Sequence, residues 1–462
     1  MADPRRRANA MTATEQRATF ALAGIYAVRM LGLFLIFPVF ALYAEHLSGA
    51  TPLLVGVAVG AYGLTQALLQ IPFGMVSDRL GRKPVIVFGL LVFAAGSVTA
   101  ALGTDVWTVI LGRALQGAGA VAGVIMALLA DLTRESQRTK AMATIGMTIG
   151  LSFSVALMAA PLLNELWGVP GIFWLVAAFA LGSIGLLLWA VPTPQRSVVH
   201  RDAEVVSGQL GAVLRNGELL RLDFGIFALH MVMTSLFLAV PLLLRDVAGL
   251  DTVDHWQVYL PALVLSIAAM IPFIVLAERR GRMKGVFLVA IALVLVAQLG
   301  LNAFAGSALA IGAWVCVFFA GFNVLEATLP SLVSKIAPAA AKGTAMGIYA
   351  TSQFAGAFVG GVGGGLAHQH YGLAGVFTFG VVVCAVWLGV AGGMGRPGSL
   401  SRRLLAVGSV SAGEAEALAA RLLAVPGVVE AVVVADEGVA YLKVDAARLD
   451  EGALGALGAA GA

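Results

Sequence analysis

Residues 71–83 read IPFGMVSDRLGRK, and residues 271–283 read IPFIVLAERRGRM. The two segments start 200 positions apart, at Ile71 and Ile271, and each lies at the junction of the second and third long apolar runs of its half of the chain. The matched positions are Asp78 with Glu278, Arg79 with Arg279, Gly81 with Gly281 and Arg82 with Arg282. A shared acid, shared bases and a shared place in the order of apolar runs predict a chain built from two related halves.

The composition assigns these halves to a membrane. The 462 residues are 60% hydrophobic and 12% charged, whereas soluble domains are about 45–50% apolar and about 25% charged. These values exclude a soluble enzyme, a disordered protein and a disulfide scaffold. Cys316 and Cys384 lie inside apolar runs, and we expect both to be free thiols. Unbroken apolar runs, without the alternation of a transmembrane barrel, predict a polytopic helical membrane protein.

Twelve apolar runs are long enough to cross a bilayer as helices, which takes about 20 residues each. They cover residues 18–44, 52–77, 84–103, 106–130, 140–164, 170–192, 219–244, 257–277, 284–304, 307–332, 343–367 and 372–394. The predicted organisation is an N-terminal arm at 1–17, a six-helix bundle at 18–192, a cytoplasmic linker at 193–218, a second six-helix bundle at 219–395, a short linker at 396–402 and a soluble domain at 403–462.

Lysine and arginine are concentrated in alternate loops. The turns after spans 2, 4, 8 and 10 and the middle linker are basic, whereas the other loops hold essentially one cation, Arg245. Cytoplasmic loops carry this excess, so both termini are predicted to be cytoplasmic in the inner membrane of a bacterium. The same distribution accounts for the net charge of +4, and we expect no nucleic-acid partner.

Two motifs resemble those of the major facilitator superfamily. GMVSDRLGRK at 74–83 resembles its motif A, G-x-x-x-D-R-x-G-R-[KR], and LGRALQGAG at 111–119, with Arg113, Gln116 and Gly117, resembles motif B. RMLGLF in span 1, LEATLP in span 10 and the small C-terminal domain resemble the YajR-type drug/proton antiporters more closely. The resemblance covers about 20–395 and implies an all-α membrane fold of twelve transmembrane helices in two pseudo-symmetric six-helix bundles.

One departure concerns motif C of the antiporters, which is rich in Gly and Pro in span 5. Here Gly146 and Gly150 are followed by Ala159-Ala160-Pro161, without the expected pair of glycines. The departure weakens the case for antiport over symport.

The turn at 78–83 places three cations and one acid at the membrane surface. Topology is one role of the cations, but it explains neither Asp78 nor Gly74 and Gly81. Small residues let helices approach closely, and an acid is stabilised beside the positive N-terminal end of a helix. The pattern therefore indicates a contact between helices in addition to a topology signal.

The resemblance implies that this turn is part of a gate. Asp78 is expected to face the start of span 11 near Gly343 and Thr344, and Arg82 to pair with Asp131 at the end of span 4. These contacts would hold the two halves together on the cytoplasmic side in the outward-open state. The candidate gate consists of Gly74, Asp78, Arg79, Gly81, Arg82, Lys83 and Asp131.

Ionisable side chains inside the bilayer are costly and are functional candidates by default. Glu326 in span 10 is the only carboxylate well inside a predicted span; it is either a proton or cation carrier or a static hydrogen-bonding group. Arg29 in span 1 either holds a counter-anion such as Glu326 or bonds backbone carbonyls. Arg113 keeps its charge and either tunes a nearby acid or bonds span 1 or 2. His230 in span 7 is a packing residue or a proton site.

The remaining intramembrane polar groups are few. Tyr26, Asn323, Gln66, Gln70 and Gln353 are candidates to line a polar path, and the rest of the spans are Leu, Val, Phe, Ala and Gly. Such a wall suits a hydrophobic or amphipathic ligand. The sequence holds no phosphate loop, metal-ligand cluster or nucleophile–base pair, so we expect no metal, no cofactor and no enzyme activity. A proton gradient is the expected energy source.

The tail at 403–462 reads strand, helix, strand, strand, helix, a ferredoxin-like α+β pattern with the last strand missing or very short. It resembles heavy-metal-associated domains in layout, but its first loop, from Gly408, lacks the Cys-x-x-Cys pair, so metal binding is not expected. Regulation, assembly and a neutral appendage all remain open. We expect a monomer in the lipid bilayer whose exposed edge strands permit association with another chain.

The leading expectation is proton-coupled efflux of small hydrophobic or cationic compounds by alternating access. Proton-coupled symport, or transport of a sugar or another metabolite, is the first alternative. A membrane sensor that signals through the C-terminal domain is an alternative of another class.

Overall fold

A computed structural model of the chain describes residues 11–194, 205, 207–279, 282–338, 341–395, 400–408, 410–435, 438–445 and 448–459. Residues 1–10 of the predicted arm, residues 195–204 and 206 of the middle linker, and Arg280 and Gly281 of the second repeat lie outside the described residues. The long apolar helices are Ala13–Phe34, Pro52–Leu80, Arg82–Leu102, Glu135–Ala190, Gly217–Asp246, Trp256–Arg279, Met283–Ala303, Ala308–Ile336 and Lys342–Gly392. Span 1 continues into Phe40–Ala44, and span 4 consists of Val106–Ala118 and Ala122–Leu132.

Two of these helices each contain two spans. Glu135–Ala190 has 56 residues, which would measure about 84 Å if straight at 1.5 Å per residue, nearly three times a hydrocarbon core of about 30 Å. Gly168 (φ 67°, ψ 174°) interrupts it between spans 5 and 6, and Gly372 (φ 65°, ψ −162°) interrupts Lys342–Gly392 between spans 11 and 12. Positive φ is accessible to glycine at little cost. The described residues therefore contain all twelve predicted spans.

The spans give the bundle two distinct sides. Arg82 and Lys335 lie on one side, which the charge pattern predicts to face the cytoplasm and which we call the inner side. Glu45 and Arg245 lie at the opposite ends of their spans, on the side that we call the outer side.

Glycines bring the two halves together along the outer half of spans 2 and 11. A Cβ at Gly56 would collide with the backbone of Gly361, and one at Gly60 or Gly63 would collide with the backbone of Phe358 or Phe354. Only glycine permits such a close approach of two backbones. The outer half of this helix pair is therefore packed without space for a solute.

Aromatic rings extend the closure across the bundle. Phe37 of span 1 stacks on Phe237 of span 7 with ring centroids 5.5 Å apart. Phe153 of span 5 meets Phe237 edge-on at 6.2 Å and Phe319 of span 10 at 5.6 Å. Phe237 and Phe319 lie seven residues, or about two helical turns, to the outer side of His230 and Glu326 respectively. The cluster thus separates these ionisable residues from the outer side.

An ion pair joins the halves at the outer surface. Arg245 at the end of span 7 donates from Nη1 to Glu45 Oε2 at 2.5 Å and from Nη2 to Glu45 Oε1 at 3.0 Å. Arg245 also contacts its neighbour Asp246. The backbone N–H of Leu53 donates to Gln369 Oε1 at 3.4 Å, which is a second link between the halves. We call the Arg245–Glu45 pair the outer latch.

The C-terminal domain is a three-stranded antiparallel sheet with two helices. Strands Leu400–Ala406, Val428–Val434 and Val439–Asp445 are ordered first–third–second. Helices Ala412–Leu423 and Glu451–Ala459 complete it, around the buried residues Val407, Leu422, Val425, Leu442, Val444 and Leu454. The first strand starts at Leu400, inside the linker predicted at 396–402, because residues 400–402 pair with Asp445, Val444 and Lys443. No fourth strand occurs among the described residues.

The domain contacts the transmembrane part at the inner end of span 10. Lys443 of the third strand donates from Nζ to the carbonyl of Ile336 at 3.0 Å. Ile336 is the last residue of the span 10 helix, and a cation is stabilised beside the C-terminal carbonyls of a helix.

The outer latch generates a prediction about conformation. Replacing Arg245 with alanine removes an ion pair whose side chains are 37% and 44% exposed, and exposed pairs are worth about 0.2–1 kcal/mol. We expect the population with an open outer side to rise by up to about fivefold. Double electron–electron resonance measures this population from the distance between two spin labels. The labels are attached to cysteines introduced at Ser48 and Leu250, in a variant that lacks Cys316 and Cys384.

Asp246→Asn is the matched control, because Asp246 contacts Arg245 within one half and does not connect the halves. If Arg245→Ala and Asp246→Asn give the same distance distribution, the outer latch does not hold the closed side.

Candidate transport site

The ionisable centre lies where spans 7, 10 and 11 meet. His230 Nε2 is 3.2 Å from Glu326 Oε1 and 2.8 Å from Gln353 Nε2. His230 Nδ1 is 3.3 Å from the carbonyl oxygen of Ile226. Because a carbonyl can only accept, Nδ1 is assigned the hydrogen and Nε2 then accepts from the Gln353 amide. We call Glu326, His230 and Gln353 the central triad.

The central triad can hold one mobile proton. Nε2 has one lone pair, so a protonated Glu326 carboxyl can donate to it in place of the Gln353 amide, and a proton transferred to His230 would leave an ion pair. The Glu326 side chain is 32% exposed, whereas His230 is 9% exposed. The aromatic cluster lies to the outer side of both residues, and the Glu326 Oε1 atom that approaches His230 is itself buried.

Arg29 does not use Glu326 as its counter-anion, contrary to one of the two expectations for it. It donates from Nη2 to Gln66 Oε1 at 2.8 Å and to the Tyr62 hydroxyl at 3.3 Å. Both acceptors lie on span 2, one turn apart, so the N-terminal half supplies the partners of its own arginine. Tyr26, one turn from Arg29, packs against the core, and Gln66 is a partner of Arg29 rather than a free wall residue.

Arg113 lies fully buried beside Tyr62, the tyrosine that also accepts a hydrogen bond from Arg29. Its Nη1 donates to Gln116 Oε1 at 2.7 Å and to the carbonyl of Gly32 in span 1 at 3.5 Å. Gln116 in turn donates to Ser97 at 2.8 Å. The guanidinium lies 5.3 Å from the ring centre of Tyr62, and no carboxylate is among its hydrogen-bond partners in the described part of the chain. Of the two alternatives stated for Arg113, these contacts therefore correspond to a hydrogen bond to span 1 and not to a nearby acid.

The other predicted cavity residues are divided between local contacts and the interface of the halves. Asn323 donates to Ser266 of span 8 at 3.1 Å. Gln70 donates from Nε2 to Thr351 of span 11 at 2.7 Å, which links the halves to the inner side of the glycine contact. Gly117 of motif B has no space for a Cβ because the carbonyl of Tyr62 lies against it.

The candidate gate is assembled around Arg82. This buried arginine donates to Asp78, to the Ser77 hydroxyl at 2.7 Å and to Asp131 at 3.4 Å. The predicted contact between Arg82 and Asp131 is thus present. Among the described residues, Asp78 has no hydrogen bond to Gly343 or Thr344, so the expected contact with span 11 is not made while the outer side is closed.

The rest of the turn contacts its surroundings within the N-terminal half. Gly81 has φ 90°, which turns the chain from span 2 into span 3. Lys83 donates from Nζ to the carbonyl of Val191 at the end of span 6 at 2.5 Å, and Arg79 is exposed. Arg134, after span 4, donates from Nε to Glu15 at 2.9 Å, and this carboxylate raises the pKa of Arg134 above its usual value.

Sequence reasoning missed one buried carboxylate. Asp223, near the inner end of span 7, is 5% exposed, although Glu326 was expected to be the only carboxylate well inside a span. Neither carboxylate oxygen has a hydrogen-bond partner among the described residues. The sequence did contain a signal for this residue, because Asp223 is the fifth residue of the predicted span 219–244 and therefore lies within it.

Comparisons with known proteins agree with this architecture. Residues 22–361 match the profile of the Major Facilitator Superfamily, and residues 399–449 match that of the YajR YAM domain. The inner membrane transport protein YajR of Escherichia coli (strain K12) is 45% identical over 435 residues, which is 94% of this chain and 95% of that protein. The multidrug resistance protein MdtH of Edwardsiella ictaluri is 28% identical, over 73% of this chain and 83% of its own.

Solved structures show the same fold. A bacterial homologue of the human lysosomal transporter Spinster, in an inward-facing and occupied conformation, superposes with a TM-score of 0.68 at 13% identity, covering 84% of this chain and 98% of its own. The human organic anion transporter MFSD10 gives 0.60 at 18% identity, covering 82% and 100%. The matches and the apolar helices indicate a multi-pass transporter of the inner membrane. The chain belongs to the Major Facilitator Superfamily and carries a YajR YAM domain at its C-terminal end.

Proposed function

We propose that the protein exports small hydrophobic or cationic compounds in exchange for protons. The observation that carries the proposal is the central triad, in which Glu326 is a partly exposed carboxyl beside His230 and lies to the inner side of aromatic rings from both halves. A carboxyl in this position can bind either a proton or a cation. Competition between the two for one carboxylate couples their movements in opposite directions.

The cycle follows from that competition. With the outer side open, a proton binds Glu326 and a bound cationic compound leaves. With the inner side open, the proton leaves to the cytoplasm and the ionised carboxylate attracts the next compound. His230 supports both states, since Nε2 accepts from the neutral carboxyl and a protonated ring would pair with the carboxylate.

The wall around the triad favours an apolar compound. Phe322 lies with its ring 5.9 Å from that of His230, and Phe318 and Phe319 stand beside Phe322. Aromatic faces attract organic cations and bind apolar groups without fixed hydrogen bonds. Asn323 and Gln66, which a sugar would need as partners, are already engaged by Ser266 and Arg29. The name of the MdtH relative, a multidrug resistance protein, supports the same class.

Two opposed sets of contacts support alternating access. The glycine contact, the aromatic cluster and the outer latch hold the outer side closed in this structure. The gate turn around Arg82 is assembled within the N-terminal half, and Asp78 is available to meet the start of span 11 when the inner side closes. We infer that closure of the outer side and a contact of Asp78 with span 11 exclude each other, and that each conformation uses one of the two.

The first test concerns Glu326. Glu326→Gln keeps the shape of the side chain and removes the exchangeable proton, so we expect transport to lose its dependence on pH and substrate binding to release no protons. Uptake of a fluorescent organic cation into proteoliposomes under an imposed pH gradient, together with proton release in weakly buffered detergent solution, provides the measurement.

Glu165→Gln is the control, because Glu165 is an exposed carboxylate just after span 5. An unchanged pH profile in Glu326→Gln would remove Glu326 as the carrier. Proton uptake together with substrate, instead of release, would replace antiport with symport.

The second test concerns Asp78. An acid at a helix N-terminus contributes about 0.3–1 kcal/mol, and up to about 2 kcal/mol when partly buried. We therefore expect Asp78→Asn to lower the outward-open population by up to about thirtyfold and to slow transport, with insertion into the membrane unchanged. Transport rates and the distance between labels at Ser48 and Leu250 measure both effects, and Asp251→Asn, at an exposed outer loop, is the control. Wild-type turnover in Asp78→Asn would contradict the gate.

The third test separates transport from sensing. The Lys443–Ile336 contact gives the sensor alternative a physical route from the C-terminal domain to span 10. If the protein is a transporter, removal of residues 400–462 leaves substrate-dependent proton exchange within about threefold of the full chain, since none of the central triad is lost. Lys443→Ala, which breaks only the contact, is the companion variant. Loss of the cellular phenotype on deletion, with no solute movement by the full chain, would favour the sensor.

A further inference from the structure

One residue of the middle linker reaches the interface between spans 2 and 11. We propose that this residue, Val205, is a wedge that keeps the inner ends of the two spans apart, because it occupies the surface of span 11 against which span 2 packs when the inner side closes. The proposal rests on the alternating access of the proposed function and adds to it a contact that opposes inner closure.

Spans 2 and 11 run antiparallel and meet in one register. A Cβ built on one glycine of a pair would lie 3.0 to 3.3 Å from a backbone atom of the partner in the outer half, and a hydrogen bond of 2.7 Å joins the last pair. The pairs are Gly56 with Gly365, Gly60 with Gly361, Gly63 with Phe358, and Gln70 with Thr351. Successive pairs are four, three and seven residues apart on both helices, which is the spacing of one helix face.

The same register continues to the gate turn. One turn inward from the last of these contacts, it sets Gly74 opposite Gly347. A further turn sets Asp78 opposite Gly343, which is the contact expected of the gate. In the described part of the chain, however, a Cβ at Gly74 would meet no atom within 4 Å. The two glycines would permit the same close approach as in the outer half, but in this structure the spans are apart at this level.

The side chain of Val205 covers Gly347. A Cβ at Gly347 would lie 2.3 Å from Val205 Cγ2 and 3.8 Å from Val205 Cβ. Residues four apart lie one above the other on a helix, so Gly347 shares a face with Thr351, whose hydroxyl donates to the carbonyl of Gly347 at 3.0 Å. Val205 therefore lies on the face of span 11 that meets span 2, in the place that the register assigns to Gly74.

The end of the linker is fixed to the C-terminal half. Val213 follows Val205 by eight residues, lies in the short helix Leu210–Leu214 and is 1% exposed within the hydrophobic core. This short helix contacts spans 7 and 11. Val205 is thus held by the half that contains span 11, on the surface that faces the half that contains span 2.

Val205 and Gly74 cannot both pack on Gly347. Where the glycines of these spans meet in the outer half, no space is left for even a Cβ between the two backbones, whereas Val205 places its branched side chain on Gly347. Closing the inner ends therefore requires Val205 to leave, and its side chain then loses an apolar contact. The linker thereby stabilises the conformation in which Asp78 is not bonded to span 11.

The first measurement is the population with an open outer side, in the full chain with spin labels at Ser48 and Leu250. Val205→Ala removes two γ carbons from a half-buried contact, and we expect this population to rise about three- to tenfold. Val205→Ile keeps the branched side chain and should leave the distances unchanged. Val429→Ala, at an exposed valine of the C-terminal domain, is the control. Unchanged distances in Val205→Ala overturn the wedge.

A double variant tests the place at which Val205 acts. Gly74 has space for a side chain in this structure, but a valine there would block the approach of span 2 to Gly347. Gly74→Val should therefore cancel the effect of Val205→Ala on the distances. If the double variant keeps the raised population, Val205 does not act on this interface and the proposal is wrong.

A cysteine at position 205 measures release of the wedge directly. In a variant without Cys316 and Cys384, the cysteine of Val205→Cys should react faster with a maleimide when Arg245→Ala is added, by up to about fivefold, since that change favours the open outer side. The cysteine of Val429→Cys should react at one rate in both backgrounds. Equal rates at position 205 in both backgrounds would show that Val205 does not move, and would overturn the proposal.

Failure of the wedge and failure of the proposed function give different results. An unchanged pH profile of transport in Glu326→Gln removes the proposed exchange, and it is read from transport, whereas the wedge is read from distances and reaction rates. If Asp78→Asn and Arg245→Ala shift the distances between the outer labels while Val205→Ala does not, alternating access stands and only the wedge fails.

Discussion

Two stiff helices that touch along only part of their length set the conformation of the whole bundle. Span 2 carries glycines along its outer half and the gate turn at its inner end, and span 11 is the neighbour of both. In the present structure the outer halves meet backbone to backbone, and Asp78 is bonded to Arg82 instead of span 11. In this structure spans 2 and 11 are therefore in contact at the outer end and at Gln70–Thr351, and not through Asp78.

The halves are related by a sequence repeat but differ in the kind of ionisable residue that each of them buries. The N-terminal half buries Arg29 and Arg113 around Tyr62 and gives them hydrogen bonds to amides, a hydroxyl and a carbonyl, although each guanidinium keeps two buried nitrogens without a partner in the described chain. The C-terminal half buries Glu326 with a histidine, and Asp223 with no partner in the described chain. The buried cations thus belong to one half and these buried carboxyl groups to the other.

Features that depend on composition and on the order of segments, such as the number of spans, could be predicted from the sequence. The partners of individual side chains could not, because they depend on how each helix is rotated about its own axis. The twelve spans follow from apolar length, and the break at Gly168 was foreseen only as a gap between two runs. The contact of Arg82 with Asp131 was predicted from motif position. The partner of Arg29 was not, because hydropathy gives no information on which face of span 1 meets Gln66. Asp223 was missed for the same reason, since a carboxylate five residues into a span can face either lipid headgroups or the protein interior.

The exposure of the Arg245–Glu45 pair has a consequence for the environment of the protein. Attraction between exposed charges weakens as dissolved salt shortens the Debye length, from about 30 Å at 0.01 M to about 8 Å at 0.15 M. Arg82 and Asp131, at the other face of the membrane, are each 1% exposed, so dissolved salt screens their attraction far less. Salt on the side that holds the Arg245–Glu45 pair is therefore expected to weaken the closure of that side alone, and a more dilute medium to strengthen it.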